Sequence, residues 1–321
     1  MIPLLIGLII VFIVLLASFV CFVMAFYAPE KDKTPKEEYP IPRGKIYIPH
    51  RDKMVEWMKE VRTLEHEDVS ITSFDGLKLC GKYYEYKKGA PCELLMHGYR
   101  GSAERDMCGA VQRCFSIGRN ALIIDQRGAG KSEGNVITFG AKESRDCISW
   151  VEFMIDKFGP DVKIIISGIS MGAATVVLAA GRGLPKNVVG VLADCGYSSA
   201  REMIEKTIRE MHLPPKLLYP FVALGARIFA GFDLRDAEPI AAVKNAKVPI
   251  IFLHGDADEF VPCYMSERMY EACPTPKKFV KVEGAGHGLA YIIDGEGYLK
   301  ALEQFWTEVG VPTEIQMYKN S

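Results

Sequence analysis

One serine of this 321-residue sequence lies in a setting that makes it a candidate nucleophile. Ser170 is the centre of the G-x-S-x-G pattern Gly168-Ile169-Ser170-Met171-Gly172, which follows the apolar run Lys163–Ser167 and precedes the small-residue stretch Ala173–Gly183. A buried strand that turns sharply into a helix at such a pattern exposes the serine hydroxyl, and the glycines keep strand and helix from colliding. The pattern therefore predicts a strand, a tight turn carrying Ser170, and a helix.

A serine hydroxyl is a weak nucleophile at neutral pH, so it needs a general base and a carboxylate that orients the base. His287 fits the base, because it alone among the six histidines follows the last predicted strand within a glycine-rich loop. The loop after the preceding strand carries three carboxylates, Asp256, Asp258 and Glu259. A serine, then an acid, then a histidine along the chain is one known order of a hydrolytic triad.

These side chains need a sheet whose loops converge at one edge, and the hydrophobic pattern predicts one. Short apolar or alternating runs predict eight strands: Val69–Ser73, Lys78–Tyr86, Glu93–Met96, Ala121–Asp125, Lys163–Ser167, Val188–Ala193, Pro249–Leu253 and Phe279–Val282. Apolar strands that alternate with helical stretches indicate a mostly parallel α/β sheet with helices on both faces, and the first two strands suggest an antiparallel N-terminal edge. Residues 199–246 exceed what a crossover needs, so we expect a small helical lid there; an insertion that only packs is the alternative.

Five motifs in this order resemble the α/β-hydrolase superfamily from about Val69 to Val309. They are His97-Gly98-Tyr99, the stretch Asp125–Gly134, the turn at Ser170, His254-Gly255-Asp256-Ala257-Asp258 with Val261-Pro262, and Gly286-His287. Within this superfamily, the chain is similar to the serine hydrolases of the alpha/beta hydrolase-domain, monoacylglycerol-lipase-like and S33-peptidase-like groups. The resemblance implies the α/β-hydrolase fold and assigns the acid to Asp258, which gives the triad Ser170, Asp258 and His287.

An oxyanion hole should complete such a site, because acyl transfer places negative charge on the carbonyl oxygen. The backbone N–H of Met171 is one expected donor, since it follows the nucleophile and opens a helix. The second should come from the loop His97–Gly101, and the resemblance assigns it to Tyr99. In the same interpretation His97 and His254 are structural residues rather than bases.

The first 27 residues predict a transmembrane anchor. No charged residue occurs from Ile2 to Tyr27, and a helix of about 20 apolar residues spans a bilayer. A cleaved signal peptide and a buried soluble helix are the alternatives, although nothing basic precedes the run. Residues 28–49 are rich in proline and charge, which is typical of an extended linker, and residues 50–321 then form the hydrolase domain. The basic residues after the span favour a cytoplasmic catalytic domain, with the extracytoplasmic orientation as the alternative: Lys31, Lys33, Lys36, Arg43 and Lys45.

Composition and motifs narrow the possible partners, cofactors and functions. A formal net charge of -1 offers no clustered basic surface for nucleic acid, so nucleic acid is not an expected partner. No zinc or dinucleotide motif in a fitting context is present in the sequence, and we expect neither metal nor cofactor. The prediction is a membrane-anchored serine hydrolase of carboxylic esters with apolar acyl groups, whose substrate is a small-molecule ester. An aminopeptidase or amidase, a thioesterase, and a non-catalytic binding protein on the same fold are the alternatives; the oligomeric state stays open.

Overall fold

A single mixed sheet organises the protein in the computed structural model, which describes residues 1–29, 37–311 and 313. Its strands are β1 (Glu67–Thr72), β2 (Lys78–Tyr84), β3 (Cys92–Met96), β4 (Asn120–Ile124), β5 (Ile164–Ile169), β6 (Val188–Asp194), β7 (Ile250–Gly255) and β8 (Lys277–Val282). Their order in the sheet is β1-β2-β4-β3-β5-β6-β7-β8. Strand β2 pairs antiparallel with β1 and β4, and the remaining pairs are parallel. The predicted mostly parallel sheet with an antiparallel N-terminal edge is confirmed.

Helices cover both faces of this sheet because neighbouring residues of each strand point to opposite sides. The helices are α1 (Ile2–Ala25), α2 (Arg51–Thr63), α3 (Ala103–Ser116), α4 (Glu143–Phe158), α5 (Met171–Gly181), α6 (Ala200–Glu210), α7 (Pro215–Gly225), α8 (Pro239–Ala242), α9 (Tyr264–Ala272), α10 (Ala290–Ile293) and α11 (Gly295–Glu308). Leu94 and Ile166 face one core together with helices α4, α5 and α9, whereas Leu95 and Ile165 face the other side, toward α2, α3 and α11.

The segment between β6 and β7 is helical, as predicted. It contains α6, α7, a π-helical turn at Ala226–Ala230, and α8 between two short 3-10 turns. Its apolar residues form a core of their own with Met171 and with residues of the N-terminal helix. The insertion therefore lies directly behind the turn that carries Ser170.

Helix α1 is long and apolar enough to cross a membrane by length and composition. At 1.5 Å per residue its 24 residues extend about 36 Å. The last third of α1 packs on α7, where Phe22 is buried and an added Cβ at Gly225 would overlap the Ser18 carbonyl oxygen. After α1 the chain continues into the domain, where Phe26 O accepts a hydrogen bond from Ile137 N at 2.8 Å.

The predicted linker at residues 28–49 packs more closely than an extended chain where the structure describes it. Residues 30–36, with Lys31, Lys33 and Lys36, lie outside the described residues. A 3-10 helix covers Lys45–His50, and Tyr47 is buried against Met54 and Leu289. The burial of this aromatic ring holds the end of the segment on the domain.

Candidate active site

A strained turn places Ser170 at the end of β5. Its backbone has φ 57° and ψ -118°, a conformation that non-glycine residues rarely adopt. A Cβ at Gly168 would overlap the backbone of Gly172, and a Cβ at Gly172 would overlap the carbonyl oxygen of Met96. Both glycines are therefore required by the close approach of β5, α5 and β3.

The structure brings Ser170, His287 and Asp258 into one hydrogen-bonded chain. His287 Nε2 lies 2.9 Å from Ser170 Oγ, and His287 Nδ1 lies 2.6 Å from Asp258 Oδ2. All three side chains are buried. The ring of Phe260 meets the His287 imidazole edge-on at a centroid distance of 5.0 Å. This arrangement can pass the Ser170 proton to the imidazole while the carboxylate stabilises the resulting cation.

Asp258 is held in its ionised form. Burial alone would raise the pKa of this carboxyl, but the hydrogen bonds from His254 and His287 outweigh burial and lower the pKa to about 2. Asp258 Oδ1 also accepts from the backbone N–H groups of Phe260 and Val261, at 2.9 and 2.8 Å. The carboxylate is thus negatively charged at neutral pH and fixed in orientation.

The rival carboxylates have other partners or face solvent. Asp256 and Glu259 are exposed, and Asp256 Oδ1 accepts from Gly284 N at 2.7 Å, which braces one loop against the other. Asp194, at the end of β6, is buried and accepts from the Tyr298 hydroxyl at 2.9 Å. Its carbonyl oxygen accepts from Ser170 N at 2.8 Å, so Asp194 supports the turn through its backbone.

Sequence reasoning missed Cys195 as a neighbour of the site. Potential ligand atoms of Cys195, Asp258 and His287 lie within 4.8 Å of one another. By their positions alone, these three residues could ligate a metal ion. However, the 2.6 Å between His287 and Asp258 is shorter than the spacing of about 3.3 Å between two ligands of a tetrahedral zinc ion. Burial raises the pKa of the Cys195 thiol well above its ordinary value, so the thiol is neutral. Its position directly after β6 is the signal that could have placed it at this edge of the sheet.

The loop after β3 lies against the nucleophile. A Cβ at Gly98 would be 3.5 Å from the Cβ of Ser170, and Tyr99 lines the same cavity as Ser170 and His287. The His97 ring accepts from Gln126 N at 3.0 Å, and Asp106 Oδ2 accepts from Gly98 N at 3.1 Å. The imidazole of His97 thus braces the loop that carries the main-chain N–H group of Tyr99, and the N–H group of Met171 directly follows Ser170 in the chain.

Two charged residues of the stretch 125–134 anchor neighbouring loops. Asp125 accepts from the backbone N–H groups of Ala103 and Lys131, both at 2.9 Å. Arg127 forms ion pairs with Asp75 and Asp146, at 2.9 and 2.6 Å. The side chains of Asp125 and Arg127 are therefore bound by other residues of the protein.

A cavity of about 1420 Å³ opens over Ser170 and His287. It exceeds the roughly 300–1,000 Å³ common for small-molecule sites. The end of the predicted linker forms part of its wall, through Ile46 and Tyr47. Its other apolar lining residues include Ile137, Ile169, Phe260 and Ile292. The site therefore has space and apolar surface for an extended substrate.

Two family models match the segments that build this site. The model of serine aminopeptidase, S33, matches residues 92–220, and the model of serine hydrolase (FSH1) matches residues 195–289. Between them they cover the turn at Ser170 and the loops of Asp258 and His287. The fold and these matches define an α/β hydrolase. The chain belongs to the α/β-hydrolase superfamily, and within it to the serine hydrolases.

Several curated proteins are similar to this chain. YqkD of Bacillus subtilis is 29% identical over 201 residues, which are 62% of this chain and 66% of that protein. The "uncharacterized membrane protein" YNL320W of Saccharomyces cerevisiae is 26% identical over 60% of this chain and 63% of its own length. Protein bem46 of Schizosaccharomyces pombe is 23% identical over 78% of this chain and 79% of its own length.

Solved structures share the fold. An esterase of Pyrococcus furiosus, Pf2001, superposes with a TM-score of 0.63 and 22% identity over 84% of this chain and 96% of its own. An acylaminoacyl peptidase of Pyrococcus horikoshii gives a TM-score of 0.57 and 16% identity over 82% of this chain and 44% of its own. At these identities the likeness concerns the fold alone, and it includes both an esterase and a peptidase.

Proposed function

We propose that this protein is a membrane-anchored serine esterase that hydrolyses carboxylic esters with apolar acyl groups. The observation that carries the proposal is the hydrogen-bonded chain from Ser170 Oγ through His287 to Asp258, with distances of 2.9 and 2.6 Å. The strained turn beneath Ser170 supports the same assignment, because strain of this kind clusters at functional sites.

In the proposed mechanism Ser170 Oγ bonds to the ester carbonyl carbon as its proton passes to His287 Nε2. The carbonyl oxygen becomes negatively charged and accepts from the N–H groups of Met171 and Tyr99. Collapse of this intermediate breaks the ester C–O bond, and the leaving alcohol takes the proton from His287. Water then repeats the sequence on the acyl-enzyme, which releases the acid and restores Ser170.

The lid glutamates favour an ester over an aminoacyl substrate. An aminopeptidase needs free carboxylates to hold the substrate ammonium group. Glu202 accepts from Tyr264 and Arg268, at 2.8 and 2.9 Å. Glu205 pairs with Arg201, and Glu210 pairs with Lys206. With its three glutamates engaged by cations or a hydroxyl, α6 supports an uncharged acyl group in the cavity; a thioester remains compatible with the same chemistry.

We also propose that α1 stays attached and anchors the protein in a membrane, with the catalytic domain on the cytoplasmic side. Cleavage of a signal peptide would remove residues that the domain buries, since Phe26 is 0% exposed and packs on Phe139 and Phe232. The similar yeast protein is named a membrane protein. Intact mass of the protein extracted from membranes should include α1, and protease protection in sealed vesicles should place the domain on the cytoplasmic side.

A substrate panel with full-length protein in detergent micelles tests the activity. We expect cleavage of p-nitrophenyl esters of graded chain length, with weaker cleavage of aminoacyl-nitroanilides. Acyl thioesters form the third arm. Ser170→Ala should lower kcat on the order of 10⁶-fold, whereas Ser149→Ala on the outer face of α4 should leave it unchanged. Ester cleavage by Ser170→Ala at the parent rate would refute the assignment, and preference for the nitroanilides would make the protein a peptidase.

A further inference from the structure

The C-terminal end of α1 is in direct contact with the loop after β3. This loop, residues 97–101, carries the proposed oxyanion donor Tyr99. The Tyr99 hydroxyl donates to Ala25 O at 2.7 Å. The Arg100 guanidinium donates from Nη2 to Met24 O at 3.1 Å and to Tyr27 O at 3.0 Å. A segment predicted only as a membrane anchor therefore touches the catalytic machinery.

These contacts satisfy two of the carbonyl groups in the last turn of α1, those of Met24 and Ala25. The last four carbonyls of an α-helix have no intrahelical donor, and the end of the helix carries partial negative charge. The last turn of α1 contains no basic residue of its own. Arg100 supplies a donor to Met24 O and Tyr99 supplies one to Ala25 O, while Ile137 N donates at 2.8 Å to Phe26 O just beyond the helix. The cap is worth more near a bilayer, where water competes less for the carbonyls.

The same contacts fix the backbone of the loop. Arg100 has a φ of 53°, a left-handed conformation that a non-glycine residue keeps only when its surroundings hold it there. Its Nε donates to the Tyr99 hydroxyl at 2.9 Å, so the two side chains form one unit on the end of α1. Asp106, through Gly98 N, holds the loop at its other end. The direction of the Tyr99 N–H is therefore set from both sides.

We propose that the end of α1 positions the oxyanion hole, with Arg100 as the positioning residue that joins the membrane helix to the loop of Tyr99. The inference rests on the proposed esterase function and deepens it. In this arrangement α1 is part of the catalytic unit, and the activity depends on how its last turn sits against the domain. Arg100 acts through the Tyr99 backbone and takes no proton.

The test uses full-length protein in lipid nanodiscs, with a p-nitrophenyl ester and a trifluoromethyl ketone, whose hemiketal oxyanion mimics the transition state. One oxyanion donor is worth roughly 10²–10³ in kcat, and displacing it in part should cost less. We expect Arg100→Gln to lower kcat about tenfold, to change KM less than twofold, and to raise the ketone inhibition constant by the factor lost in kcat. Arg100→Lys, which keeps a cationic donor, should recover part of the loss.

Matched variants separate positioning from simple destabilisation. Arg235→Gln makes the same change on an exposed arginine of the insertion and should leave kcat and the ketone constant at parent values. From the helix side, Ala25→Gly loosens the capped turn and should lower kcat about threefold, whereas Ala17→Gly, two turns earlier, should not. If Arg100→Gln does not fold, Tyr99→Phe takes its place because it removes only one hydroxyl. It should lower kcat by less than tenfold and raise the ketone inhibition constant by the same factor.

The outcomes also separate the two proposals. The positioning role alone would be overturned if Arg100→Gln kept the parent kcat and the parent ketone inhibition constant while activity still depended on Ser170. A lower melting temperature without a change in the ketone constant would do the same, because it would mark a purely structural cap. Activity that survives in Ser170→Ala would overturn the esterase proposal instead.

Discussion

His254 Nε2 lies 3.2 Å from Oδ2 of Asp258, the oxygen that also binds His287. The same nitrogen is 2.8 Å from the carbonyl oxygen of Val261. Because both neighbours are acceptors, Nε2 carries its proton, and His254 is a second donor to the carboxylate beside His287. Its other nitrogen lies 2.7 Å from Ser266 Oγ, which fixes the ring. The fully buried His254 is therefore a brace for the proposed acid.

Substituting the acid should reduce activity and change the pH dependence of stability. Asp258→Asn should lower kcat about 10⁴-fold, because an amide no longer stabilises the imidazolium. The folded pKa of about 2 lies below the ordinary value of 3.8, so the stability that Asp258 contributes is present above about pH 4 and is lost as pH falls toward 2. The shift corresponds to about 2 kcal/mol.

Thermal unfolding of the two proteins in detergent between pH 6 and pH 2 checks this sign. The gap in the free energy of unfolding between parent and Asp258→Asn should shrink as the solution is acidified. A gap that stays constant over this range would contradict the low pKa of Asp258.

Removing the strained side chain of Ser170 should stabilise the protein while it abolishes activity. Glycine accepts the φ of 57° that Ser170 holds, whereas alanine keeps the steric cost. Ser170→Gly should therefore unfold at a higher temperature than Ser170→Ala, by about 1 kcal/mol of stability, with both variants inactive. Equal melting temperatures for the two variants would argue that the turn stores no strain.

The close approach of α5 to β3 should make Gly172 intolerant of any side chain. Gly172→Ala places a Cβ onto the carbonyl oxygen of Met96, so one of the two elements must move. We expect a loss of about 3–5 kcal/mol in the free energy of unfolding. Gly295→Ala is the control, since its Cβ would meet only Tyr291 at 3.8 Å. Chemical denaturation of both variants decides the point, and a stable Gly172→Ala would show that α5 can shift.

The pattern around Ser170 could be predicted because its determinants are local. Gly168 and Gly172 lie two residues from the serine, and the strand and helix that they separate are visible in the apolar runs. The meeting of Asp258 with His287, 29 residues apart, follows from the convergence of adjacent strand ends and from the resemblance. The order of elements along a parallel sheet brings the two loops together, and the resemblance selects Asp258 among the carboxylates of its loop.

The contacts of Arg100 with the end of α1 could not be predicted from the sequence. Arg100 and Met24 are 76 residues apart, and no periodicity relates a loop arginine to the carbonyls of a distant helix. The buried ion pairs of Glu93 with Arg113 and Arg119 are hidden for the same reason. In the sequence, Glu93 is simply the polar start of an apolar strand.

Glu93 should be essential for stability because two buried guanidinium groups depend on it. The carboxylate is 0% exposed and accepts from Arg119 Nη1 at 2.9 Å, and it also pairs with Arg113. Glu93→Gln leaves these cations without their counter-ion, which costs about 3–5 kcal/mol for a buried pair. The exposed pair of Arg201 with Glu205 is the comparison, where Glu205→Gln should change stability by less than about 1 kcal/mol. Similar unfolding free energies for the two variants would contradict this ranking.

Phe26 should stabilise the catalytic domain although it follows directly on the apolar helix. It is 0% exposed, and its ring meets Phe139 and Phe232 edge-on at 5.6 and 5.3 Å. Phe26→Ala should lower the free energy of unfolding by about 3–5 kcal/mol, the usual cost of a phenylalanine-sized cavity. Phe12→Ala is the matched control, because Phe12 is 65% exposed on α1 and touches lipid in the proposed anchoring.

Thermal unfolding of both variants in nanodiscs, monitored by tryptophan fluorescence, measures the difference. All three tryptophans of the chain lie in the domain, at positions 57, 150 and 306, so the signal reports domain unfolding. We expect a clear fall in melting temperature for Phe26→Ala and none for Phe12→Ala. If neither Phe26→Ala nor Phe12→Ala lowered the melting temperature, α1 would be a tether independent of the domain. A fall confined to Phe26→Ala would mean that the residue directly after α1 stabilises the fold of the hydrolase, so that the end of α1 and the domain are one cooperative unit, as the capping of α1 by Arg100 requires.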